Sequence, residues 1–121
     1  MQYLLLIYHS EADWAKVADA EREPIYREYR QLREQLSGTG KYLGGSQLEP
    51  TGMATTVRVR DGKRVVTDGP FAETKEQLGG YFLIDASDLD DAIAVAGRIP
   101  AAHEGSIEIR PLVVMQRASQ A

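Results

Sequence analysis

The sequence predicts an α+β fold, a ferredoxin-like βαββαβ unit carrying an added β-hairpin, and three observations lead there. Two short apolar runs, YLLLIY at 3–8 and YFLIDA at 81–86, are each preceded or followed by segments of helical periodicity. A third run, Ser106 to Met115, closes the chain and begins by alternating apolar with charged residues. Between the two halves, VRVR and KRVV flank Asp61-Gly62, the pair that a type I′ hairpin turn favours because both central positions need positive φ.

Taken in order, Gln2 to Tyr8 is short and almost wholly apolar, which predicts a strand buried on both faces. Ala12 to Ala20, with Trp14 and Val17, is compatible with a helical turn. The main helix follows, with Pro24 in its first turn, where a proline loses no intrahelical hydrogen bond. Ile25, Tyr29, Leu32 and Leu36 recur at spacings of four, three and four and form one apolar stripe. Arg22, Glu23, Arg27, Glu28, Arg30, Arg33 and Glu34 take the other faces with signs that nearly cancel, as on a solvated surface. Gly38 and Gly40 end the helix. Tyr42 to Leu48 is a short strand and Thr55 to Thr67 the hairpin. After YFLIDA, Ser87 is the expected N-cap with Asp90 at N3, and Leu89, Ala92, Ile93 and Ala96 the core stripe, until Gly97 and Pro100 stop the helix. In the last strand Ile107 and Ile109 face the helices, while Glu108 and Arg110 point away. One domain spans 1–117 and residues 118–121 read as a frayed tail. With both helices on one sheet face, the other face needs a cover, which predicts a homodimer.

Composition narrows the function classes. The 121 residues are enough for a core without staples, and the absence of cysteine excludes disulfides, thiolate metal sites and cysteine nucleophiles. A net charge of −4 argues against direct nucleic-acid binding, which needs an excess of Lys and Arg. No apolar run has the length of a membrane span or the form of a signal peptide, so a cytoplasmic protein is expected. GTGKYLGGS departs from both nucleotide-binding glycine signatures, and it follows a helix where a phosphate loop would precede one. His9 and His103 lack metal-ligand spacing, so neither a metal nor another cofactor is expected, and there is no Gly-x-Ser-x-Gly nucleophile elbow. Arg58, Arg60, Lys63 and Arg64 on the hairpin are charges that discourage edge-to-edge pairing.

The densest group of chemistry-bearing residues is DGPFAETKEQLGGY, 68–81. Asp68-Gly69-Pro70 is a tight turn, Phe71 an expected anchor in the core, and Glu73, Lys75 and Glu76 a charge cluster on a short helical segment. Glu108 and Arg110 lie where they answer that cluster, Lys75 with Glu108, and Arg110 with Glu73, Glu76 or Asp68. Such a network shifts a carboxylate toward acid or base duty, or locks a dimer without catalysis, and the residues alone lean slightly toward the second.

The segments TTVRVRDGKRVVTDGPFAETKEQLGGYFLIDASDLDDA and IEIRPL resemble the DGPF subgroup of the YCII-related family over nearly the whole chain. The resemblance implies a dimeric α+β barrel built from ferredoxin-like units. It makes Asp68, Gly69, Pro70, Phe71, Glu73, Lys75, Glu76, Gly79, Gly80, Glu108, Arg110 and Pro111 hallmark positions. Some relatives resemble lyases or dehalogenating enzymes of small hydroxylated aromatics with a His-Asp pair, the histidine lying on the first helix. Here 21–36 contains no histidine, and Tyr26 or Tyr29 occupies that neighbourhood. The resemblance also implies an association with extracytoplasmic-function sigma factors. The expected reading is thus a small polar or aromatic metabolite bound in a charged cleft near the dimer interface, with acid/base chemistry of lyase or isomerase type. Asp68, Glu73 and Lys75 are the catalytic candidates, and Glu76, Tyr81, Glu108, Arg110 and His103 the substrate-binding ones. A non-catalytic regulatory module is the competing expectation.

Overall fold

A computed structural model describes residues 1–114. Six strands and three helices run in the order β1 Gln2–His9, α1 Glu11–Trp14, α2 Asp19–Gly38, β2 Tyr42–Gln47, β3 Thr55–Arg60, β4 Lys63–Asp68, β5 Gln77–Asp85, α3 Leu89–Ala96 and β6 Ser106–Pro111. Four strands form one antiparallel sheet in the order β2-β5-β1-β6, the ferredoxin-like arrangement. β3 and β4 make a separate two-stranded sheet. Their turn is as the sequence predicts: Asp61 has φ 53° and Gly62 φ 75°.

The core lies between the four-stranded sheet and the helices. Tyr3, Leu5 and Ile7 of β1, Phe82 and Ile84 of β5, and Leu32 and Leu36 of α2 are buried, and Leu5, Ile84 and Ile99 are sealed from solvent. Ile107 and Ile109 pack against this cluster. By the two-residue period of a strand, Glu108 and Arg110 therefore face the other way, beside Leu6 and Leu4 of β1. β1 is not buried on both faces as the apolar run suggests: it alternates, with Leu4, Leu6 and Tyr8 half-buried. Among the described residues that second face stays partly exposed.

Other boundaries move for local reasons. α1 is a single capped turn, with the Asp13 amide donating to Ser10 Oγ at 3.2 Å. α2 begins at Asp19, so Pro24 sits in the helix interior and not in its first turn. Asp19 and Glu21 place acids where the helix dipole favours them, which supports the extra turn. The glycines after α2 do terminate it: Gly40 has φ 74°, and the Lys41 amide donates back to the Leu36 carbonyl at 2.8 Å.

β5 starts at Gln77, four residues before the apolar run, and the preceding 73–76 is irregular where a helical segment is expected. Phe71 does not anchor anything in the core; it is 79% exposed. In α3 the N-cap is Asp88, whose side chain accepts the Asp91 amide at 2.8 Å, while Asp91 reaches back to the Ser87 amide at 3.0 Å. The cap thus sits one residue later than the sequence suggests, and the N3 acid reaches the amide before the N-cap. The buried stripe is Ala92, Val95 and Ala96 leading to Ile99; Leu89 and Ile93 are half exposed. β6 ends at Pro111, which lacks the N–H to extend a ladder, so 112–114 are not strand and the expected run to Met115 stops short; Met115 and the tail at 118–121 lie outside the described residues.

Candidate functional site

A cavity of about 510 Å³ lies between α2 and the helix-facing side of the sheet, at the C-terminal end of β1. That volume is in the range of small-molecule sites. Its position follows from local sequence. The α2 stripe is bulky and aliphatic at Leu32 and Leu36 but aromatic or partly exposed at Ile25 and Tyr29, so the helix closes on the sheet at one end and stands off at the other.

Aromatic rings form the walls. The rings of His9 and Trp14 meet edge to face with centroids 6.2 Å apart, and Trp14 meets Tyr26 the same way at 5.9 Å. Deeper in, Tyr29 and Tyr42 both contact Phe82 edge-on, at 6.3 and 5.5 Å. Trp14 is held from behind by Arg22, whose guanidinium carbon stands 5.0 Å from the ring centroid and whose Nη2 donates to the Trp14 carbonyl at 2.9 Å. The short helix bearing Trp14 is tied to the loop after β2 as well. Glu11 accepts the Thr51 amide at 2.8 Å and the Thr51 hydroxyl at 2.6 Å.

His9 owes its place to Gly79. In the β1–β5 pairing Ile7 faces Gly80 and Tyr8 faces Leu78, so Gly79 is the extra residue of a bulge. A Cβ on Gly79 would overlap the His9 imidazole at Nε2 and Cδ2. The glycine pair, which reads as freedom for close approach, makes room for a ring that lines the cavity. His9 thus lines the cavity at intermediate exposure. The signal was present: a histidine closing an apolar strand, with two glycines opening the strand that pairs with it.

Charge is confined to Arg30, Arg33 and Glu104 among the lining residues. Arg33, half-buried at the cavity, departs from the sequence expectation of a solvated face, whereas Arg30 borders the cavity and is exposed. Tyr29 is pushed up to about 12 by burial, with Glu104 and Glu28 adding to the shift and a backbone hydrogen bond from Ala101 opposing it. Its phenol stays protonated at neutral pH, so it can donate a hydrogen bond but is no base. Among the described residues, no three His, Asp or Glu side chains gather as a metal site would require.

The residues singled out from the sequence lie elsewhere. Asp68, Glu73 and Lys75 are exposed on the end of β4 and the loop after it, and none lines the cavity. Glu76 accepts the Ser106 hydroxyl at 3.0 Å, tying the loop to the start of β6. The expected pairs between Lys75 and Glu108 and between Arg110 and the loop acids do not occur among the described residues. Arg110 instead stands 3.9 Å from Glu108 of its own strand, and Glu108 accepts the Tyr8 hydroxyl at 3.5 Å. Tyr81, paired with Leu6, shares that open face. His103 is exposed, although the next residue, Glu104, borders the cavity. Glu73 and Lys75 extend into solvent, and Glu76 reaches the four-stranded sheet at Ser106 without meeting Glu108 or Arg110.

Residues 1–116 match the YCII-related domain model. The chain is also similar to an uncharacterised protein of Rhizobium meliloti (strain 1021), with 38% identity over 116 residues that cover 94% of each chain.

Proposed function

This chain belongs to the YCII-related family, and from that premise we propose that it binds a small ring-bearing metabolite in the cavity under α2 and moves a proton on it through His9. The observation that carries the reading is an aromatic-walled cavity of about 510 Å³ with an imidazole among its walls. Flat aromatic faces suit a planar ligand, and a neutral imidazole offers one nitrogen as acceptor and the other as donor. Acid/base chemistry of lyase or isomerase type needs little more: a ring oriented by stacking, a group that takes a proton, and a neutral donor such as Tyr29. We assign the proton transfer to His9 in preference to Asp68, Glu73 and Lys75, because those three stand outside the cavity.

Trp14 is the single tryptophan of the chain and lines the cavity, so its emission reports occupancy directly. Titration with a library of monocyclic compounds should give saturable emission changes together with a raised melting temperature. Bound compounds carrying an acidic C–H should exchange it with D₂O, seen by proton NMR. His9→Gln should slow that exchange roughly 10²–10⁴-fold while binding persists. A library without a single saturable binder would sink the proposal, and unchanged exchange in His9→Gln would remove His9 from it.

A further inference from the structure

We infer that the ligand of this cavity is a ring compound bearing a carboxylate, with the carboxylate held by Arg33; the inference rests on the ligand-binding reading above. Four arginines sit on α2 between Arg22 and Arg33, and three of them have carboxylate partners. Arg22 stands 3.8 Å from Asp19, and Arg27 and Arg30 stand 3.9 and 3.0 Å from Glu23. Arg33 enters no ion pair among the described residues. The sequence explains why: positions three and four away on the helix are Tyr29, Arg30, Leu36 and Ser37, none of them acidic. Arg33 is nonetheless half-buried at the cavity. A guanidinium with five fixed donors, partly withdrawn from water, is matched best by a planar carboxylate that accepts two of them.

The spacing supports the same ligand. Tyr26, Arg30 and Arg33 all line the cavity from α2, and the backbone positions of the two arginines lie roughly 6 and 10 Å along the axis from that of Tyr26. That is the reach of a single ring with a short acidic arm. An aromatic enclosure also suits an organic cation, but the lining holds two guanidinium groups against one acid, Glu104, and repels a positive ligand. A neutral ring would leave Arg33 partly desolvated and unmatched.

The test uses benzoate, 4-hydroxybenzoate and trans-cinnamate beside their primary amides, which keep the shape and lose the charge, and phenyltrimethylammonium as the cation. Binding is read from Trp14 emission. At least one acid should bind at least tenfold tighter than its amide, a difference of about 1.4 kcal/mol, and the gap should narrow with added salt. In Arg33→Gln the gap should close while amide affinity holds; in Arg33→Lys, which retains the charge, the acid preference should survive. Amides or the ammonium ion binding as tightly as the acids would overturn the inference and leave the cavity as a ligand site. So would an acid preference unchanged in Arg33→Gln. If none of the probes binds, the carboxylate inference and the reading beneath it both fall.

Discussion

Gly79 and His9 occupy one space, which makes their energies inseparable. Adding a methyl group at Gly79 forces the imidazole out of its position, and crowding of this kind costs roughly 1–3 kcal/mol. Gly79→Ala should therefore lower the melting temperature and weaken ligand binding, whereas Gly79→Ala combined with His9→Ala should be more stable than the sum of the single changes. A thermal-unfolding double-mutant cycle measures this; additivity would show that the two do not share the site. Tyr29 gives a second residue-scale test. Its folded value of about 12 lies above the ordinary value near 10. The unfolded chain therefore loses the phenolic proton first, and stability present below pH 10 declines as pH rises from 10 toward 12. The full effect is about 2 to 3 kcal/mol, and Tyr29→Phe should flatten that part of the stability profile. At this scale the sequence was least informative. DGPFAETKEQLGGY concentrates its charges in one stretch and drew the candidate site to itself, yet its glycines matter most through a histidine some seventy residues away. A bulge and a ring–backbone overlap have no local signature, because both are created by strand pairing.

Elements were legible wherever local chemistry decides. The Asp61-Gly62 turn, the apolar stripe of α2 and the glycine stop after it follow from backbone sterics and helical periodicity, and all three are present. α3 was harder because two overlapping stripes share Ala92 and Ala96, and helical periodicity alone does not choose between them. The cap of α3 belongs to this scale. Asp88 accepts the Asp91 amide, and Lys41 Nζ, from the start of β2, donates to Asp91 Oδ1 at 2.7 Å. Replacing an N-cap aspartate costs about 0.5–2 kcal/mol, so Asp88→Ala should lower the urea midpoint without changing the slope. The Lys41 hydrogen bond first, and the Ser87 amide second, hold Asp91 below the usual carboxylate range. A depressed carboxylate stabilises the fold above its unfolded value, and that contribution is lost as pH falls through the folded one. Urea unfolding at descending pH should find Asp91→Asn less acid-sensitive than the parent chain; equal acid sensitivity would mean the cap carries no linked proton.

At the scale of the molecule, one sheet face bears Leu4, Leu6, Tyr8, Tyr81 and Leu83 in alternation with the buried core residues, and these five stay partly exposed among the described residues. The β3–β4 hairpin also exposes Val57, Val59 and Val66, each more than half accessible, although a lone two-stranded hairpin is marginal in water. Both surfaces gain from the same partner, and a second copy of the chain brings an identical open face to meet them. A two-fold contact is self-complementary, so any substitution at its centre occurs twice. We therefore expect sedimentation equilibrium to give twice the 13.4 kDa chain mass at micromolar concentration. Leu6→Glu places two unpaired carboxylates in the contact, and leaving even one charge buried without a partner costs about 3–5 kcal/mol. The dissociation constant should rise more than a hundredfold, while far-UV circular dichroism stays that of the folded chain because Leu6 points away from the core. A parent chain that sediments as a monomer, or a Leu6→Glu chain that stays dimeric, would place the contact elsewhere. The hairpin would then need a different explanation for its exposed valines.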